Sequence, residues 1–264
     1  MRHWALVPGS VVGVLLVSSI MGLSSTSTAF AVSGQVGPPS PNVPAIGVAT
    51  SENQFISEAY QFASTNGSQF TVTVATPYVS KSDRASGAFM ALESRNGRQA
   101  VIVGWYVDPQ FFHDTSTHLF IKREVNGVWC TKNCGYIASK TKIREGVKLS
   151  DKPRQFEIEQ RHGAWWIGSN KRWIGRYPDS VWNKKFVKAG ATAWYGQVTT
   201  PSVTPCSDMG NGQWASSASA AVISDISFFN GTKTNFRTTS TKPAFYSIHT
   251  VSSSSFRFGG GGAC

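Results

Sequence analysis

The sequence predicts an all-β fold, an antiparallel two-sheet β-sandwich, and three observations predict it. Short runs alternate apolar and polar residues with a period of two, clusters of Gly, Pro, Asn and Ser separate the runs, and helical periodicity is scarce. The alternation takes over from Phe55 onward. Phe70 to Val74 reads as a strand with Phe70, Val72 and Val74 on one face and two threonines on the other. Between Phe89 and Val107 lies Asn96-Gly97, a dipeptide that accepts the left-handed backbone of a tight hairpin. A two-residue turn there pairs Arg95 with Arg98, Glu93 with Ala100 and Ala91 with Ile102. Further strands are expected at Ala100 to Val107, His118 to Glu124, Gln155 to Arg161, Ala164 to Gly168 and Lys171 to Ile174. Three more follow, at Ala193 to Val198, Ala221 to Phe229 and Tyr246 to Val251. One short helix is allowed near Asp179 to Ala189, and the Ser- and Gly-rich end, Val251 to Gly262, needs the final cysteine to hold it.

The first residues have a basic start (Arg2, His3), an apolar stretch from Val11 to Leu23, and a small-x-small ending at Ala29-Phe30-Ala31. This is the layout of a secretory signal peptide over 1–31. The apolar run is shorter than the ~20 residues a bilayer span requires and Ser18-Ser19 interrupts it, so no membrane anchor is expected. Residues 32–54, with Pro38-Pro39-Ser40-Pro41, read as a linker or short pro-segment, and 55–264 as the folded domain. Export suits the four cysteines, Cys130, Cys134, Cys206 and Cys264: an even count in a secreted chain implies disulfides, with three pairings open. Local closure of Cys130 on Cys134 would leave Cys206 to hold Cys264.

The formal charge is +11, and about half of the 25 basic residues fall between Lys140 and Lys188. Such a stretch can draw a protein to anionic polymers or can be a solvated surface. No nucleic-acid module is recognisable, and no nucleic-acid partner is expected. Trp165, Trp166, Trp173, Trp182 and Trp194 cluster in one stretch, as core or as a stacking surface for sugars or prolines, core being the default. The usual catalytic constellations are missing: there is no Gly-x-Ser-x-Gly elbow and no His-Glu-x-x-His. His113-Asp114 with His118 has no recognised ligand spacing and reads as a loop pair and a strand residue. No metal and no cofactor are expected.

Three segments are informative. One is Val101-Ile102-Val103-Gly104-Trp105-Tyr106-Val107-Asp108, followed by His118-Leu119-Phe120 and by Cys130 to Gly135. Another is Gly163-Ala164-Trp165-Trp166-Ile167-Gly168, followed by Trp173 to Pro178. The last is Trp194-Tyr195-Gly196-Gln197-Val198, followed by Pro205 to Gly212. In this order and at these separations they resemble the neprosin family in its bacterial form, from about Phe62 to Cys264. The resemblance implies a secreted two-sheet sandwich acting as a glutamic endopeptidase that cuts on the carboxyl side of proline. It also implies a pair of glutamates across a groove, one the general base on a water and the other polarising the scissile carbonyl; two coupled carboxyls can hold the two protonation states the chemistry needs.

At the matching positions this sequence has Ile102, three residues before Trp105, and Gln197, in the Trp194-Tyr195-Gly196-Gln197-Val198 strand. An amide has no proton-accepting role at useful pH and an isoleucine has no polar atom, so neither replaces a carboxylate. Period two puts Ile102, Gly104 and Tyr106 on one face, and Tyr195 and Gln197 on one face of their own strand. Tyr106, Tyr195, Gly104 and Gly196 are taken as groove-lining. Glu93 would lie diagonally beside Ile102, within ~7 Å, as a candidate relocated acid or as a surface carboxylate balancing Arg95 and Arg98.

Two function classes follow. One is a secreted, catalytically degenerate domain whose uncharged, aromatic groove binds extended Pro-rich peptide or cell-wall glycan as a monomer. The other is an active glutamic endopeptidase that cleaves after proline with Glu93 as its acid. A weaker third is a polyanion binder using the Lys140 to Lys188 stretch.

Overall fold

The computed structural model describes residues 52–130, 134–141 and 143–264. The expected signal peptide and nearly all of the 32–54 segment lie outside the described residues; Asn53 and Gln54 already belong to a strand, which moves the domain start back by two residues. In chain order the strands are β1 (Asn53–Gln61), β2 (Gly67–Val72), β3 (Ala85–Glu93), β4 (Gln99–Val107) and β5 (His118–Val125). The middle of the chain contributes β6 (Val128–Trp129), β7 (Ile137–Ala138), β8 (Arg154–Arg161), β9 (Ala164–Ser169) and β10 (Arg172–Pro178). The last third contributes β11 (Ala191–Thr200), β12 (Ala221–Phe228), β13 (Arg237–Ser240), β14 (Ser247–Ser252) and β15 (Ser255–Gly259). They form two antiparallel sheets, one of seven strands in the order β13-β1-β11-β3-β4-β5-β6 and one of eight in the order β14-β15-β12-β2-β8-β9-β10-β7. The fold is the predicted β-sandwich.

Three local expectations change. The Asn96-Gly97 turn closes with the Gly97 N–H on the Ser94 carbonyl, and only Gly97 is left-handed (φ +66°). This is not the two-residue turn with two left-handed residues, yet β3 and β4 keep the expected register, Glu93 opposite Ala100 and Ala91 opposite Ile102. The helix expected over Asp179 to Ala189 shrinks to one 3₁₀ turn, Asp179–Trp182, because Asn183 and Lys184 turn left-handed (φ +50° and +59°). Ser255 to Gly259, expected as a loose end, forms β15 between β14 and β12, its Phe256 and Phe258 supplying buried rings.

Both cysteine bridges form, Cys130 with Cys134 and Cys206 with Cys264. The space between the sheets is filled by Met90, Val101, Val103, Trp105, Phe156, Ile158, Trp165, Trp194 and their neighbours. Trp165, Trp182 and Trp194 are therefore core. Their polar edges and that of Trp105 are handled differently: Trp105 Nε1 donates to the Thr73 carbonyl (2.9 Å), Trp165 Nε1 to Phe186 (2.7 Å) and Trp182 Nε1 to Glu124 (2.7 Å), whereas Trp194 Nε1 has no acceptor.

The seven-stranded sheet departs from the usual antiparallel pattern, in which one face is wet. Every residue of β3 and of β11 is buried, so this sheet carries a second apolar cluster on its far face. Gly104 makes the second cluster possible. It lies opposite Phe89 in β3 and Phe120 in β5, and a Cβ there would stand 2.0 Å from the Ala88 carbonyl oxygen and 2.7 Å from the Phe89 Cα. Gly104→Ala must push two central strands apart, so it is expected to cost ~3 kcal/mol, at the upper end of overpacking effects, read as a lowered urea midpoint at unchanged m-value.

Candidate functional site: the far face of the seven-stranded sheet

The strand register fixes what meets on this face. One row runs Gln197, Gly87, Tyr106, His118 across β11, β3, β4 and β5. The next runs Glu58, Tyr195, Phe89, Gly104, Phe120 from β1 to β5, and the next Ala193, Ala91, Ile102, Lys122. The last runs Ala191, Glu93, Ala100, Glu124. Ile102, Gln197, Tyr106, Tyr195, Gly104 and Glu93 thus share the face, as the alternation requires. Gly196 does not: it points between the sheets, where a Cβ would meet the Phe258 ring at 2.3 Å, so its reading as groove-lining is corrected. Period two around Gln197 decides this, since neighbours in one strand project to opposite sides.

The centre of the face is filled by its own rings. Phe89 meets Phe120 and Tyr195 at 5.3 Å each and Tyr106 at 5.8 Å, and Tyr106 meets Phe120 at 5.0 Å. Gly87 supplies the space for the Phe89 ring, which comes within 2.3 Å of where a Gly87 Cβ would stand, and Gly104 lets the β3 backbone at Ala88 and Phe89 approach closely. Ile102 and Gln197, on the same face, are 0% exposed, and Gln197 Nε2 donates to Thr199 Oγ1 at 2.9 Å while its carbonyl oxygen has no partner among the described residues.

The face is aromatic but not uncharged. Glu93 is 1% exposed and neither of its carboxyl oxygens has a hydrogen-bond partner. It has no ion pair with Arg95 or Arg98 among the described residues, and Arg95 instead stacks over Phe62 at 5.4 Å. Burial, reinforced by the carboxylates of Glu124 and Glu58, holds the Glu93 carboxyl well above the usual glutamate range. Burial raises Glu124 to about 7, and the two acids flank Ala100 in register. Tyr195 lies opposite Glu58 and is fully buried; desolvation raises its phenol first, then Glu93, Glu58 and Glu124 add to the shift. Reasoning from the sequence misses Glu58 and Glu124. The signal is present, since Glu58 alternates with Ile56 and Tyr60 and Glu124 with His118, Phe120 and Lys122, but using it requires the pairing of β1 with β11, which are far apart in the chain.

The edge of the face holds the two histidines noted in the sequence. His118 Nε2 is 3.0 Å from Asp114 Oδ1 and its Nδ1 is 2.8 Å from the Gly146 carbonyl, with Phe112 stacked on the ring at 3.9 Å. Lys148 Nζ reaches the other Asp114 oxygen at 2.9 Å, and His118, Lys148 and the Ser116 N–H (2.7 Å) together hold Asp114 well below the usual carboxylate range. Both ring nitrogens of His118 are engaged by acceptors, so the ring is fixed on two sides and suits a structural clamp better than a general base. His113 lies outside the pair, in the left-handed position after the short helix Pro109–Phe112.

The family model described as Neprosin matches residues 82–261. Among solved structures, a scytalido-glutamic peptidase with a transition state analog inhibitor is similar at 9% identity, covering 78% of this chain and 98% of that one, with a TM-score of 0.49. SCP-B, a member of the Eqolisin family of peptidases in complex with the tripeptide Ala-Ile-His, matches at 8% identity with the same coverages and a TM-score of 0.46. A carbohydrate binding module of Bacillus subtilis matches at 14% identity, over 55% of this chain and 79% of that one, with a TM-score of 0.31. No curated protein sequence matches the chain.

Proposed function

The chain belongs to the neprosin family, and on that premise we propose that it is a secreted peptide- or glycan-binding domain in which the family's hydrolysis has been lost. One observation carries the reading. The two positions that the resemblance assigns to catalytic glutamates hold Ile102 and Gln197, both fully buried, and Gln197 is tied to Thr199. Loss of one general base costs roughly 10²- to 10⁴-fold in rate, and here both carboxylates are replaced. Two disulfides and the lack, among the described residues, of a helix long and apolar enough to cross a membrane fit an exported protein with the 1–31 segment as its signal.

A second reading has its own observation. Glu93 and Glu124 place two raised, buried carboxyls on the face where the family pair is expected, and coupled carboxyls of this kind can divide acid and base roles. On that reading the domain is a glutamic endopeptidase that cleaves after proline with Glu93 as its acid. One experiment separates the two: incubation of the mature protein and its Glu93→Gln variant with a proline-containing peptide between pH 2 and 8, followed by mass spectrometry. The expected result is an intact peptide throughout. Cleavage after proline that Glu93→Gln abolishes would overturn the binding-only reading and establish the second.

A further inference from the structure

The second sheet carries a different arrangement on its outer face. Trp166 in β9 receives guanidinium groups from the strands on both sides, Arg161 of β8 at 5.3 Å and Arg176 of β10 at 4.8 Å from its ring centre. Arg161 also lies 4.1 Å from the centre of Trp173. Simple alternation would send Trp173 and Arg176 to opposite faces. The register shift between Trp173 and Gly175 inserts one residue and brings both to the outside, while Ile174 and Tyr177 stay in the core. The result is a row of alternating cations and rings, partly exposed, on a sheet surface that also carries Gln155, Glu157 and Glu159.

Stacking orders a guanidinium but leaves its in-plane N–H groups free. Four other arginines use those groups: Arg84 meets Asp108 at 3.0 Å, Arg154 donates to Ser169 at 3.1 Å, Arg257 to the Ser217 carbonyl at 3.2 Å, and Arg123 to the Cys134 carbonyl. Arg176 has no hydrogen bond or ion pair among the described residues, and Arg161 has only a 3.7 Å approach of its Nε to Glu159. Arg161 Nε and Trp166 Nε1 are themselves buried donors without an acceptor. The face therefore presents converging donors with few acceptors. Glu157, another carboxylate of this face, is folded over Gly168, where a Cβ would stand 2.3 Å from its oxygen, and is only 9% exposed. Lys171 and Arg172, exposed at the β9–β10 turn, add positive charge.

We propose that the Arg161–Trp166–Arg176–Trp173 row is a binding site for an acidic polysaccharide, its guanidinium edges taking the sulfate or carboxylate oxygens and the ring edges flanking the sugar. Preorganised cations, Arg176 without an ion pair among the described residues and Arg161 with only the 3.7 Å approach to Glu159, fit oxyanions, a guanidinium edge fits them bidentately, and the run across three neighbouring strands fits an extended chain. The inference rests on the reading of this domain as an extracellular binder and not on the fate of the catalytic glutamates.

The test uses the mature protein at about 0.15 M salt, where exposed long-range attraction is largely screened, with four immobilised probes: heparin, polygalacturonate, neutral dextran and double-stranded DNA. Binding to at least one acidic glycan and none to dextran is expected. The variant Arg161→Lys, Arg176→Lys keeps the charge and removes the fork, and is expected to bind about tenfold more weakly or worse. Lys233→Gln with Lys242→Gln removes two charges from other loops and should stay within about twofold, as expected for screened surface charges. Thermal melting confirms that each variant is folded. The site is overturned if no acidic glycan binds, if the lysine control loses as much as the arginine variant, or if DNA binds as tightly with the same loss. Failure here with an uncut peptide removes this site alone, whereas peptide cleavage with intact glycan binding removes the loss-of-hydrolysis reading alone.

Discussion

Raising the pH from about 4.5 to 8 is expected to destabilise the domain, the reverse of the usual trend for a protein with paired surface carboxylates. The cause lies on the far face of the seven-stranded sheet. Glu124 titrates at about 7 in the fold against 4.5 for an ordinary glutamate, and Glu93 is displaced in the same direction. A carboxyl whose folded value is raised binds more protons folded than unfolded between the two values, so stability falls as pH rises through that window and is unaffected below it. For Glu124 alone the loss approaches about 3 kcal/mol by pH 8, since stability falls by ~1.4 kcal/mol for each pH unit separating the folded and unfolded values. Glu93 adds to it, since its ionisation would leave a buried charge beside Glu58, Glu124 and the phenol of Tyr195, with no cation paired to it. The only cation in those rows, Lys122, is 3.2 Å from Glu145. Asp114 works in the opposite sense: its depressed value gives stability that is lost only as pH falls below the ordinary carboxylate range. Urea unfolding should therefore show a maximum near pH 5. Glu93→Gln, isosteric and uncharged, should flatten the alkaline side; a wild-type protein more stable at pH 8 than at pH 5 would refute the account.

The same face marks where sequence reading succeeds and where it stops. Strands whose pattern is local were legible: β4, β5, β8, β9 and β12 begin and end within about two residues of expectation, because period two and the flanking turn residues set them. The β3–β4 register was legible too, since a hairpin with a short turn leaves few alternatives. β1, β13 and β15 carry weak local signals and owe their strands to partners far away in sequence, β1 to β11 and β13, β15 to β12 and β14. Ile102 and Gln197, the positions the motifs single out, do share a face. What surrounds them was not legible. Glu58 comes into that set only through the pairing of β1 with β11, over a hundred residues apart, and Glu124 only through the pairing of β5 with β4. The Arg161–Trp173 stack was equally hidden, since it depends on a one-residue bulge that no alternation pattern announces.

Removing the Cys206–Cys264 bridge should cost about twice as much stability as removing Cys130–Cys134. In the chain-entropy view a crosslink stabilises by restricting the unfolded chain, more so the longer the loop it closes. Separations of 58 and 4 residues correspond to about 4 and about 2 kcal/mol. Against a typical total of ~5–15 kcal/mol, the first is a large fraction. The longer bridge also fastens a segment with little else to hold it. At the end of β15 the chain runs through Gly259 and on into Gly260, both at φ near +149°, where side chains would strike the Gln213 and Phe245 carbonyls. It is then tied by Met209 N–H to the Gly260 carbonyl (2.9 Å) and Ala263 N–H to the Pro205 carbonyl (2.8 Å). Its anchor at Cys206 is firm: Asp83 accepts from the Cys206 N–H and the Ser207 hydroxyl, and the Tyr246 hydroxyl donates to the Ser207 carbonyl. Cys206→Ser with Cys264→Ser should therefore lower the urea midpoint strongly and speed amide exchange first in β15 and at Met209, ahead of the rest of the eight-stranded sheet. The Cys130→Ser, Cys134→Ser variant should leave β15 protected, since its bridge directly follows β6 in the chain, and β6 and β15 belong to different sheets. Equal losses in the two variants, or exchange that accelerates uniformly, would show that the terminal bridge does not hold the last strand in place.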